Sequence, residues 1–127
     1  MAVDIGRIGQ IAISASDVDR AEDFYAVKLG LRKLFRFGDL LFFDCAGIRL
    51  LIEKAHGALK PCATIYLRCP DLALAMGELR QRGVSFTQDA HLVAEMADHD
   101  LWMAFFDDPD GNSLALMQEA PKGYRPA

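Results

Sequence analysis

Phe105-Phe106-Asp107-Asp108-Pro109-Asp110-Gly111-Asn112-Ser113-Leu114-Ala115-Leu116 reads as a strand, a tight turn and a returning strand. Apolar residues run into an Asp-Pro-Asp-Gly-Asn cluster, the composition of a turn, and leave it alternating again. The stretch has a twin. Phe42-Phe43-Asp44-Cys45-Ala46-Gly47-Ile48-Arg49-Leu50-Leu51-Ile52 carries the same Phe-Phe-Asp start, a Gly, and a Leu three residues beyond that Gly. A second pair, Ile11-Ala12-Ile13-Ser14-Ala15-Ser16-Asp17-Val18 and Ile65-Tyr66-Leu67-Arg68-Cys69-Pro70-Asp71-Leu72, aligns without a gap. The chain therefore reads as two copies of one unit.

Outward from these anchors, residues 10–15 predict a first strand that runs into the capping oxygens of Ser16, Asp17 and Asp19. Asp19 with Glu22 three residues later resembles a capping box, and Val18, Ala21, Phe24, Tyr25 and Leu29 make an apolar stripe at helical spacing. Gly30 supplies the stop. Strands are predicted over 31–37, 40–45 and 48–53, giving βαβββ. The second unit repeats this with a strand over 64–69, a helix carrying Leu72, Ala75, Met76 and Leu79, and strands over 84–86, 101–107 and 113–118. Between its second and third strands lies a longer polar stretch, 87–100, with His91, Glu95, Asp98 and His99, which reads as an irregular lid.

The expected class is α+β: one domain over 1–127, built from a βαβββ unit at about 8–54, a linker at about 55–61, a second βαβββ unit at about 62–119 and a loose tail at 120–127. Its 127 residues are enough to bury a core without a metal or disulfide staple. Cys45, Cys62 and Cys69 are odd in number and lack Cys-x-x-Cys spacing, so they read as small buried hydrophobes. A net charge of -4 without a Lys/Arg cluster argues against nucleic acid. No apolar run approaches the roughly 20 residues of a membrane helix, and the first residues lack a signal-peptide core. A cytoplasmic protein is expected, with a small molecule or another protein as partner.

Asp23-Phe24-Tyr25 leading to Leu29-Gly30-Leu31, followed near the end by Phe106-Asp107-Asp108-Pro109-Asp110-Gly111-Asn112, resembles the vicinal oxygen chelate superfamily. That group includes glyoxalase I, bleomycin and fosfomycin resistance proteins, methylmalonyl-CoA epimerase and extradiol dioxygenases. The resemblance implies a cup-shaped mixed sheet, often completed across a homodimer, and in the enzymes a divalent metal held by His, Glu or Gln on the first and last strands of each unit. Carried onto this chain, those positions are Gln10, Leu51, Thr64 and Ala115.

Leu51 and Ala115 offer neither imidazole nitrogen nor carboxylate oxygen, and Thr64 is a weak neutral donor. The expectation is a cup without the family metal, and no cofactor, unless a displaced metal site exists. His91, Glu95 and His99 recur every four residues, so a helical turn there would gather them for a displaced metal or for acid-base chemistry. No Gly-x-Ser-x-Gly elbow points to nucleophilic catalysis. The expected ligand-binding set is Gln10, Arg49, Leu51, Thr64, Trp102 and Ala115, lining a mostly apolar pocket for a small, partly apolar molecule. The alternative is an enzyme of glyoxalase, epimerase or dioxygenase type.

Overall fold

The computed structural model describes residues 8–59 and 63–125, as two compact units divided between Lys60 and Pro61. Cys62, the linker's Lys60 and Pro61, and the last residues of the tail lie outside the described residues.

In the first unit β1 (Gln10–Ala15), α1 (Val18–Glu22), β2 (Arg32–Phe37), β3 (Leu40–Cys45) and β4 (Ile48–Lys54) follow one another. The sheet order is β1-β4-β3-β2, with β1 and β4 parallel and the other pairs antiparallel. The second unit repeats this with β5 (Ile65–Arg68), α2 (Leu72–Gln81), β6 (Phe86–Glu95), β7 (Asp100–Asp107) and β8 (Ser113–Ala120), in the order β5-β8-β7-β6. Here β5 and β8 are the parallel pair. Parallel neighbours need a crossover connection, and the helix of each unit lies within it.

Strand alternation assigns the faces. Ile13, Ala15, Leu41, Phe43, Leu50 and Ile52 are buried with Phe24 and Tyr25 of the first helix. Leu114, Leu116, Ala104 and Phe106 are buried with Leu72, Met76 and Leu79 of α2. Burying a side chain such as Phe43 or Phe106 contributes about 1.5–3 kcal/mol, so these stripes fix which way each strand faces.

The first helix differs from expectation in two ways. Its N-cap is Asp17, one of the capping residues read from the sequence, whose carboxylate accepts the Arg20 N–H at 3.1 Å, so Asp19 and Glu22 do not act as a capping box. Asp19 and Glu22 instead hold β2: Arg36 lies 2.6 Å from Asp19 and 2.9 Å from Glu22, and Lys33 lies 2.8 Å from Glu22. The helix then widens into a π-helical segment, Asp23–Lys28, closed by Leu29 N–H to Phe24 O at 2.9 Å. Adjacent Phe24 and Tyr25 are both buried there, in edge-to-face contact at 5.2 Å.

The larger correction concerns residues 87–100. Strand β6 runs through most of this stretch to Glu95, and only a short hairpin loop remains, closed by Met96 N–H to His99 O at 2.8 Å. Its pairing with β7 shifts register at three places, between Phe86 and Gln88, Gln88 and His91, and Leu92 and Ala94. Each shift resets the period-two alternation that would have marked a strand in the sequence.

The tail is also tied down over its described part. Buried Asp100 accepts the Gly123 N–H at 2.8 Å and lies 3.0 Å from the Lys122 ammonium, which also donates to Met96 O at 2.9 Å. Tyr124 meets Trp102 edge to face at 6.4 Å.

The turn quoted first is held by one carboxylate. Asp108, 6% exposed, accepts the N–H groups of Asp110 and Asn112 at 2.9 and 2.8 Å and the Asn112 amide at 2.8 Å, while Gly111 takes a φ of 83°. Asp108→Ala leaves those donors without their acceptor and is expected to cost about 1–3 kcal/mol in urea unfolding, where Asp107→Ala at the exposed neighbour changes little.

Acid should destabilise the fold through identifiable carboxylates. The Gly123 N–H, then Lys122, hold Asp100 below the usual carboxylate range, and hydrogen bonds from Lys33 and Arg36 do the same for Glu22. Their folded pKa lies below the unfolded one, so their stabilisation is complete above about pH 4 and is lost as pH falls through the depressed values. Thermal unfolding should show Tm dropping below about pH 4, and Asp100→Asn should make that drop shallower.

Candidate functional site

Each sheet has a second face, turned away from its helix. In the first unit three side-chain rows cross it. The middle row is Ala12, Leu51, Phe42 and Phe35, in register across β1, β4, β3 and β2. Phe35 and Phe42 stack with centroids 4.5 Å apart and planes at 27°. The next row is Gln10, Arg49, Asp44 and Arg32, and the third is Ser14, Glu53, Leu40 and Phe37.

Arg49 is the unusual member. Its guanidinium lies over the Phe42 ring, 5.6 Å from the centroid, and it makes no ion pair among the described residues. Asp44 stands opposite it across the strands, but that carboxylate accepts the Gly47 N–H at 3.0 Å and lies 3.8 Å from Arg32. The result is an exposed cation resting on an aromatic face.

The second unit's equivalent face has the rows Tyr66, Ala115, Phe105 and Gln88, and Arg68, Met117, Met103 and His91. Tyr66 meets Phe105 edge to face at 6.1 Å, and His91 stacks on Phe105 at 6.0 Å with planes at 21°. His91 Nδ1 lies 2.8 Å from Asp89 O. A carbonyl only accepts, so in the neutral ring Nδ1 carries the proton and Nε2 keeps its lone pair. At the edge of this face Arg68 pairs with Glu119 at 3.0 Å, Glu119 lies 3.6 Å from His99 Nε2, and His99 Nδ1 lies 2.7 Å from Asp98. The bond from His99 holds the Asp98 carboxyl below its usual range. Here the cation is already neutralised.

The residues singled out from sequence are distributed as follows. Gln10, Arg49 and Leu51 share the open face of the first sheet, with Gln10 beside Arg49. Ala115 lies fully buried between Tyr66 and Phe105 in the second, and Thr64 sits half-buried one residue before β5. Leu51 in the first unit and Ala115 in the second bring no donor atom for a divalent cation. Among the described residues no three His, Cys, Asp or Glu side chains are grouped to hold a metal ion.

His91, Glu95 and His99 do not gather. His91 and Glu95 lie on one strand, about 13 Å apart at a strand's rise per residue, opposite Met103 and Asp100, and His99 is in the hairpin loop. Trp102 lies on the other face of β7 from Met103 and Phe105, with Ala104 and Phe106, because those two must face α2. It is 8% exposed and has the Arg125 guanidinium 5.9 Å from its ring centroid. Cys45 and Cys69 are half-buried free thiols, pushed up first by burial and then by the Asp44 and Asp71 carboxylates, which makes both weak nucleophiles. The open-face residues Tyr66, Arg68, Met103, Phe105, Met117 and Glu119 were not assigned from sequence. Their parity with Ala115 across the strand register is the signal that finds them.

The chain matches the family model of the Glyoxalase/Bleomycin resistance protein/Dioxygenase superfamily over residues 7–116. Among solved structures it is similar to a member of that superfamily from Sphaerobacter thermophilus DSM 20745, at 26% identity and a TM-score of 0.75, over 92% of this chain and 100% of that one. It is also similar to a glyoxalase/bleomycin resistance protein/dioxygenase from Alicyclobacillus acidocaldarius, at 25% identity and a TM-score of 0.70, over 89% and 91%. A lactoylglutathione lyase from Agrobacterium tumefaciens shares the fold at 21% identity and a TM-score of 0.76, over 96% and 100%. No curated protein sequence matches. The family match over most of the chain, carried by two units with parallel outer strand pairs and the Asp108 turn, means that this protein belongs to the Glyoxalase/Bleomycin resistance protein/Dioxygenase superfamily.

Proposed function

We propose that this chain is a superfamily member that binds a small, partly apolar molecule on its open sheet faces without the family's divalent metal. One observation carries the reading: Leu51 and Ala115 stand at the ligand positions of the last strands, each flanked across the sheet by apolar or aromatic neighbours, Ala12 and Phe42 for one, Tyr66 and Phe105 for the other. A divalent ion at either position would lose water and gain hydrocarbon, and the one neutral side chain left in each unit, Gln10 in the first and Thr64 in the second, does not offset that loss. What these surfaces do favour is burial of an apolar or aromatic body, at about 25 cal/mol for each Å² removed from water. A homodimer in the cytoplasm is the assembly and compartment we propose with it, on the family resemblance and the sequence composition.

A second reading, an acid-base enzyme of epimerase or glyoxalase type without a metal, is supported by His91. Its Nδ1 contact with Asp89 O leaves Nε2 as a base beside Phe105. Exchange of solvent deuterium into the carbon next to a bound substrate's carbonyl, abolished by His91→Gln, would establish it.

The leading reading is tested by elemental analysis of the purified, untagged protein, followed by calorimetric titration with nickel, zinc, manganese and iron(II). Substoichiometric metal and no binding heat are expected. A near-stoichiometric metal would overturn the reading.

A further inference from the structure

We infer that the open face of the first sheet is a binding site for a planar aromatic monocarboxylate, with Arg49 as its anion anchor. The inference rests on the metal-free binding reading and specifies its ligand. Four observations converge on it. Arg49 is exposed and makes no ion pair among the described residues, although a carboxylate stands opposite it on β3. That carboxylate, Asp44, is occupied by the Gly47 N–H and faces Arg32. The guanidinium is spread over the Phe42 ring, which stacks on Phe35, 48% exposed. Gln10, exposed on the edge strand, is in register with Arg49 and adds a neutral donor.

A guanidinium's paired N–H groups match a carboxylate's two oxygens, and a cation lying on an aromatic face keeps both its charge and its fork available. The ligand's ring would then lie along Phe42, Phe35 and Leu51, where offset stacking and apolar burial act together. The face also sets direction. Glu53 is four residues beyond Arg49 on β4, in the row of Ser14 and Leu40, about 13 Å away at a strand's rise. A second carboxylate at that end would meet a like charge, so the site takes one negative group, at the Gln10 and Arg49 end.

The test uses the full chain with three probes of one shape: 2-naphthoate, 2-naphthamide and 2-naphthylmethylamine, titrated by calorimetry against wild type, Arg49→Met, Arg49→Lys and Phe42→Leu. Wild type is expected to prefer naphthoate over naphthamide by about tenfold or more, and the amine should bind most weakly. Arg49→Met should bring naphthoate and naphthamide within about twofold, and Arg49→Lys should keep part of the preference, since a point charge lacks the fork. Phe42→Leu should weaken all three probes. Unchanged thermal unfolding of the exposed-site Arg49 variants separates these effects from misfolding. Equal affinity for naphthoate and naphthamide in wild type, or a preference that survives Arg49→Met, overturns the anion site and leaves apolar binding standing. No binding by any probe overturns both.

Discussion

The parallel pairing of first strand with last strand, Ile11 opposite Leu50 and Ile65 opposite Leu114, is the constraint from which the rest of each unit follows. It requires a crossover, which brings the helix of each unit onto one face of its sheet. It also sets parity. With Leu50 and Leu114 committed to the helix side, Leu51 and Ala115 are committed to the other. A slip of one residue would exchange the two sets and bury Arg49 under the helix, so the same apolar stripe that stabilises the fold also holds the open face in place.

The duplication was legible because it is written in turn chemistry and apolar spacing, both local. The Asp-Pro-Asp-Gly-Asn turn forms as read, with Asp108 gathering the donors that its neighbours expose. Strand β6 was not legible, since its bulges break alternation three times and leave a polar stretch that mimics a loop. The helix start at Asp17 was legible, whereas the role of Asp19 and Glu22 was not, because they neutralise Arg36 and Lys33 on β2. The tail's Pro and Gly residues suggested looseness, whereas Asp100, buried far away in sequence, ties down Lys122 and Gly123. For the tail and for Asp19 and Glu22, what sequence missed was a partner remote along the chain.

The open faces were half legible. The family resemblance indicated which positions on the first and last strands of each unit matter, and register places Gln10, Arg49 and Leu51 together. Trp102 shows the limit of choosing by residue type. A lone tryptophan beside a polar stretch suggests a pocket wall, yet its face is decided by Ala104 and Phe106, which α2 must cover. The His91, Glu95 and His99 series shows the same limit in another form. Spacing of four gathers side chains only on a helix, and on a strand it spreads them.

The two units have the same scaffold and different electrostatics. On the second sheet Arg68 is satisfied by Glu119, which in turn faces His99, itself bonded to Asp98, so the charges there close on one another. On the first sheet the corresponding closure fails at one point. Asp44 could have paired with Arg49 across the strands, but the Ala46-Gly47 turn draws its carboxylate to the Gly47 N–H, with Ala46 held at a φ of 52°. A left-handed alanine costs roughly 1–2 kcal/mol, and the turn that contains it supplies the N–H that Asp44 accepts. The guanidinium settles on Phe42 instead, so that a half-buried aromatic ring carries an exposed cation. The geometry of a turn at one end of β3 thus bears on which charge of the open face stays without an ion pair among the described residues.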